Sequence, residues 1–271
     1  MNHRLINYLV GVYLFFYFVL WADSTDQIWI ISALILGLIV AGTALLFNWF
    51  STDGAFAALI HGTVAFGLGQ IYGAALLLIF VLGSYGIAAL ISTEETGSLS
   101  ERRTGRQVWS NGFWFSLGII LWSITENPVW LIASAGAIAT AAADTTATLT
   151  GTHLSSGKVV SILNFKKVTP GVDGGISLIG TTSSFLAAIV VATAAMFLAP
   201  VYQFEIILVV LIAGFSGCIV DSYLGAIFQY PNRAIKLPLK KDNPFYFSNN
   251  TVNAVATGWG FVVSWLLYHV I

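Results

Sequence analysis

The chain has 271 residues, 57% of them hydrophobic and 8% charged, with a mean hydropathy of +0.85. Soluble domains carry about 25% charged residues, so this composition excludes an ordinary water-soluble enzyme and places the protein in a membrane. A net charge of −1 leaves no basic face for nucleic acid, and the single cysteine, Cys218, excludes an internal disulfide.

Taken in chain order, Arg4 precedes an apolar run ending at Trp21 that has the look of a secretory leader. The run is long, however, and Trp21-Ala22-Asp23 lacks a small-x-small cleavage pattern, so it reads as a retained first transmembrane helix near 5–21. Apolar stretches of spanning length recur near 28–47, 55–70, 72–91, 108–124, 128–150, 176–198, 205–229 and 251–270. The expected fold is all-α: a polytopic transmembrane helix bundle of about nine helices. The glycine-rich GTVAFGLGQIYGA joining the third and fourth admits either a broken helix or a tight hairpin. Gly69-x3-Gly73 within it is a weak helix-dimer match, because it falls at a helix boundary. Asp53 reads as the cap of the helix starting near Ala55. Residues 133–149 (ASAGAIATAAADTTATL) and 213–226 are rich in small side chains, which let backbones approach closely; both are expected at the centre. The segments 28–40 and 205–212 are expected to face lipid, and Cys218 to be a small core residue.

Charge tests this layout. With the amino terminus in the cytoplasm, the inner segments are 1–4, 48–54, 92–107, 151–175 and 230–250. They hold Arg4, Arg102, Arg103, Arg106, Lys158, Lys166, Lys167, Arg233, Lys236, Lys240 and Lys241, which is every basic residue. The opposite loops carry Asp23, Asp26, Glu126 and Glu205. This is the positive-inside pattern. It predicts an integral, multi-pass protein with its basic loops toward the cytoplasm, in the cell membrane if the source is prokaryotic.

Against this background Asp144 and Asp221 stand out, because each lies inside an apolar helix near the basic end. A carboxylate at membrane depth is costly and marks a functional site by default. A shared divalent cation, Mg2+ above all, removes the cost for both; the bland alternative is a buried Asp bonded to Thr or Asn. Thr140, Asp144 and Thr148 share a helix face, as do Gly217, Asp221 and Gly225. The loop 151–175 brings Gly171, Gly174 and Gly175 to a helix start at Ser177, an arrangement suited to phosphate. Lys158, Lys166 and Lys167 add charge there, although membrane-proximal lysines also follow from topology alone. Gly175-x4-Gly180-Thr181-Thr182 lacks the lysine of a P-loop. Arg102, Arg103 and Arg106 precede Gln107 and Asn111, which face the same way; such a cluster also suits anionic lipid head groups. Asn249, Asn250 and Asn253 open the last helix as further ligands or donors. His61 and His153 show no metal spacing.

These motifs, in order from about Ser51 to Ile271, resemble the phytyl-phosphate kinase family of membrane proteins, which includes vertebrate transmembrane protein nineteen and is known as domain of unknown function ninety-two. The resemblance is carried by DGAFAALIHGTVAFGLG, GRQVWSNG (Gly105–Gly112), ADTTATLTG (Ala143–Gly151), VTPGVDGGISLIGT (Val168–Thr181), AGFSGCIVDSYLGAIFQ (Ala213–Gln229) and SNNTVNA (Ser248–Ala254). Residues 1–50 form an amino-terminal helical hairpin that is least family-like, joined to 51–271 in one structural unit. A looser similarity extends to dolichol and phytol kinases. The resemblance implies Mg2+-dependent transfer of a phosphoryl group from a nucleoside triphosphate, CTP being the expected one, to phytyl or a related prenyl monophosphate. It implies that Asp144 and Asp221 hold the metal and that Lys167 acts in catalysis with them. Lys158, Lys166, Gly171, Gly174, Gly175, Ser177 and Arg106 would bind the phosphates. Gln107, Asn111, Thr148, Asn249, Asn250 and Asn253 would support the metal or meet substrate. The chain departs from the family pattern at Leu149 and Thr251, where acidic residues are usual. An ion-coupled transporter and a non-catalytic member of the family are the alternatives.

Overall fold

The computed structural model describes residues 2–91, 102–201, 203–229 and 247–271. Among them the chain forms nine α-helices: α1 (His3–Leu20), α2 (Ser24–Leu46), α3 (Thr52–Thr63), α4 (Gln70–Ile91), α5 (Gly105–Thr125), α6 (Val129–Leu154), α7 (Leu178–Leu198), α8 (Glu205–Leu224) and α9 (Asn249–Tyr268). α3 runs on into a π-helical turn at Val64–Leu68, and α8 into another at Gly225–Gln229. A small antiparallel ribbon pairs β1 (Val160–Ser161) with β2 (Gly175–Ile176). Six helices, α1, α2, α4, α6, α7 and α8, are long and apolar enough to cross a membrane. With α3, α5 and α9 packed among them, the protein is an all-α polytopic bundle.

Helix ends are fixed by local chemistry. Asp23, Ser51, Ser177 and Ser248 each accept a hydrogen bond from the first turn of the helix they precede. Thr104 and Gln107 close a capping box at the start of α5. Asp53, expected to cap α3, does something else: Ser51 is the cap, and Asp53 Oδ2 accepts from the Gly105 backbone N–H at 2.9 Å and lies 3.3 Å from His3 Nε2. It ties the starts of α1, α3 and α5 together.

α6 is the axis of the bundle. Every residue from 131 to 143 is buried, and α4, α5, α7, α8 and α9 all pack on it. Apolar side chains gain little by leaving lipid for protein, so close van der Waals fit has to hold such a bundle together. Accordingly Gly136 meets the Gly260 carbonyl, Gly214 lies on Ala139, and Gly217 lies on Thr140. The lipid-facing expectation for 28–40 agrees with the exposure of Ile35, Leu38 and Ile39. For 205–212 it describes one stripe only, since Leu208 is exposed while Ile206, Val209 and Val210 are buried.

Between α3 and α4 the chain turns sharply, and the two helices hardly pack on each other. Gln70 takes a left-handed φ of 48°, and Gly73 fits beneath the Ala65 carbonyl, where a Cβ would stand 2.9 Å from the Ala65 carbonyl carbon. The turn therefore uses Gly69 and Gly73 internally. The helices then diverge, α3 onto α2 and α5, α4 onto α6 and α7.

The basic segments gather at one end. Ser51 N donates to Arg103 O at 3.1 Å, Arg103 N donates to Trp49 O at 3.0 Å, and Gly174 abuts Ala226 at the end of α8. Arg4, Arg102, Arg103, Arg106, Lys158, Lys166 and Lys167 thus share this end; Arg233, Lys236, Lys240 and Lys241 lie outside the described residues, as does the segment 92–101.

Candidate functional site

α6 begins as a helix of small buried residues and, over about its last 15 Å at 1.5 Å per residue, presents a polar face carrying Asp144, Thr148 and Gly151. That face lines a cavity of about 480 Å³, closed by the start of α7, the end of α8, the 171–175 loop, and Asn249 and Asn253 of α9. Asp144 and Asp221 meet at its floor, their carboxyl groups in hydrogen-bonding contact. Geometry brings them together: Thr140 packs on Gly217, and Asp144 and Asp221 follow one turn later on their respective helices. Asp221 is 9% exposed. Among the described residues no Lys, Arg or His forms an ion pair with either. Two carboxyl groups in contact at this depth cannot both be ionised without a cation between them.

The Asn253 amide sits against Asp221: its Nδ2 donates to Asn249 O at 2.9 Å and to Asp221 Oδ2 at 3.3 Å. All the donors are hard oxygens. No cluster of three or more His, Cys, Asp or Glu occurs among the described residues. A cation here would rest on the two carboxylates with phosphates completing its shell, which is how Mg2+ is usually held. The residues fit that ion.

The glycine loop forms the roof. Gly171 and Gly174 have φ of 85° and 72°, and a Cβ on Gly174 would come 2.7 Å from Ala226 Cα, so this position takes no side chain. Ser177 caps α7 by accepting from Gly180 N at 3.1 Å while lining the cavity. Asp173 stands at the mouth, where partial burial pushes its carboxyl above the usual range. Sequence reading passed over Asp173, and its only signal was a charge inside a glycine run.

The remaining candidates are distributed unevenly. Thr148 and Asn249 line the cavity, Asn111 reaches it through Asn253, and Asn250 accepts from Ser110 Oγ at 3.5 Å. Gln107 is engaged locally, its Oε1 accepting from Thr104 N at 2.8 Å. Lys158, Lys166, Lys167 and Arg106 are exposed and stand outside the cavity wall. Leu149 lines the wall, and the Thr251 hydroxyl lies 2.9 Å from Ser248 Oγ at the α9 cap. Cys218 is buried and also borders the cavity.

No solved structure matches this chain. The model of a family described as integral membrane protein DUF92 matches residues 34–261, from within α2 to within α9. The chain belongs to the DUF92 family of integral membrane proteins.

Proposed function

We propose that this protein is a Mg2+-dependent phosphotransferase of the membrane surface. It moves the γ-phosphoryl group of a nucleoside triphosphate, CTP by resemblance, onto phytyl or a related prenyl monophosphate, with the basic end of the bundle in the cytoplasm. The observation that carries the reading is the pair of contacting carboxyl groups, Asp144 and Asp221, beneath a glycine loop in a cavity of about 480 Å³.

The chemistry asks little covalent work of the protein. A phosphate monoester is already ionised at neutral pH, so no base has to remove a proton. A lone pair on the acceptor phosphate forms the new O–P bond at the γ-phosphorus. The bond from that phosphorus to the β,γ-bridging oxygen breaks, its electron pair leaving with the nucleoside diphosphate. Catalysis is then positioning and charge stabilisation. Asp144 and Asp221 would hold Mg2+, which when bound supplies neutralisation of the β- and γ-phosphate oxygens. Asn253 would orient Asp221, and the Gly171–Gly175 backbone would admit phosphate close to the chain. Lys158, Lys166 and Lys167 would reach in from the rim on flexible stems, Lys167 against the transferring group.

The test is a matrix of CTP, ATP, GTP and UTP against phytyl and geranylgeranyl monophosphates, in detergent or nanodiscs. Asp144→Asn and Asp221→Asn should each lower Mg2+-dependent transfer by about 10²-fold or more. Undiminished transfer in both variants would refute these roles.

A further inference from the structure

A second cavity, of about 610 Å³, lies between the ends of α2 and α4, the approach to α5, and α6. It shares Thr145 and Leu149 of α6 with the first cavity, so the two adjoin along one edge of that helix. Its lining differs in kind. Phe47 and Trp49 stack at 5.6 Å, Tyr85 follows at 6.0 Å from Trp49, and the Arg103 guanidinium lies 4.9 Å over the Tyr85 ring. Arg102 Nη2 donates to Asn48 Oδ1 at 2.5 Å. Among the described residues neither arginine pairs with a carboxylate. The Arg103 backbone is fixed on both sides, its N–H donating to Trp49 O and its carbonyl accepting from Ser51 N, so the guanidinium is presented from a rigid bridge.

The surroundings say what kind of molecule enters. Leu46, Phe47 and Leu90, beside the cavity at the ends of α2 and α4, are 82%, 65% and 87% exposed. Such side chains face acyl chains, while tryptophan and tyrosine mark the head-group level. Two guanidiniums on the wall of one cavity select an anion with several oxygens, phosphate above all. A ligand meeting both conditions is an amphiphile with a phosphate head, arriving from the bilayer.

We infer that this cavity receives the lipid acceptor: Arg102 and Arg103 hold the head of a prenyl monophosphate, and Trp49 and Tyr85 flank the first units of its chain. Thr145 and Leu149 form the edge across which that phosphate meets the nucleotide cavity. The phosphate-lipid site stands on its own geometry; calling its occupant the acceptor rests on the function proposed above.

The test uses the full chain in phosphatidylcholine nanodiscs with a diazirine-bearing geranylgeranyl monophosphate, and crosslinked peptides read by mass spectrometry. Crosslinks are expected on the peptides carrying Trp49 and Tyr85. Unlabelled geranylgeranyl monophosphate should remove them, and geranylgeraniol or inorganic phosphate should not. In kinetics, Arg103→Gln should raise KM for the prenyl phosphate about tenfold, with kcat and the nucleotide KM nearly unchanged and Arg103→Lys recovering part of the loss. Crosslinks elsewhere, or an unchanged KM in Arg103→Gln, overturn the inference. Equal competition by phosphatidylglycerol overturns the acceptor assignment in favour of a general anionic-lipid site. Labelling of Trp49 and Tyr85 without any transfer by the wild type supports the phosphate-lipid site and removes the kinase reading; transfer without labelling there does the reverse.

Discussion

The contact between Thr140 and Gly217 sets how far apart the two carboxylates stand, and it can be perturbed by a single methyl group. A Cβ at position 217 would lie 2.6 Å from Thr140 Cγ2 and 3.0 Å from Thr140 Cβ. Carbon atoms rest about 3.5–4.0 Å apart, so Gly217→Ala must push α8 away from α6 by roughly 1 Å. Thr140 has no room to retreat, because Gly260 of α9 lies against it as well. Overpacking of this kind costs about 1–3 kcal/mol. Asp144 and Asp221 follow one turn later, so the displacement reaches them, and a misplacement of about 1 Å at a reacting centre costs about 10²-fold in rate. Thermal unfolding in detergent and Mg2+-dependent transfer to geranylgeranyl monophosphate read the two effects separately. Adding Thr140→Ala removes the hydroxyl and methyl group that make the worst contacts, and should recover part of both. Wild-type unfolding and transfer in Gly217→Ala would refute the reasoning, as would a double variant no better than the single one.

Gly174→Ala places a side chain at a φ of 72° and against the Ala226 backbone. The left-handed conformation alone costs about 1–2 kcal/mol, so the loop should shift and the KM for nucleotide should rise, measured by steady-state kinetics. Asp53→Ala removes the acceptor of the Gly105 N–H and of the Ser51 hydroxyl, and should lower stability by about 1 kcal/mol while leaving transfer per folded molecule unchanged. The Ser51 hydroxyl first, with the Gly105 N–H and His3, holds the Asp53 carboxyl below the usual range. Its contribution is therefore present above the unfolded carboxylate value and fades as pH falls through the lowered folded one. Asp53→Ala should flatten that acid limb in a pH series of melting curves.

Six of the expected spans were legible because lipid demands long apolar runs, whereas α3, α5 and α9, expected near 55–70, 108–124 and 251–270, are not among the helices long and apolar enough to cross. The central place of α6 followed from its small side chains. What depended on distant partners was not legible. Asp53 looked like a local cap, yet besides Ser51 it accepts from Gly105, which lies 52 residues on. The glycine run at 62–74 fitted a hairpin or a broken helix equally; the sharp turn that forms depends on Gly73 fitting beneath Ala65, and the two helices then part to different neighbours. The β1–β2 ribbon is two residues on each side, too short for any periodicity to announce it. In the candidate site, Asp144 and Asp221 betrayed themselves as charges in apolar helices. Lys158, Lys166 and Lys167 lie close to Asp144 in sequence, whereas in the fold they are exposed and do not line the cavity. Trp49, Tyr85 and Arg103 come from three separate segments, so no local pattern could have grouped them.

The central claim is that Asp144 and Asp221 together hold a divalent cation. Titration of the nanodisc-embedded protein with Mn2+, followed by electron paramagnetic resonance, tests it without requiring turnover. The account predicts a site in the wild type that Mg2+ displaces and that is lost in Asp144→Asn and in Asp221→Asn. A wild type that binds no Mn2+, or variants that bind it as the wild type does, would contradict it.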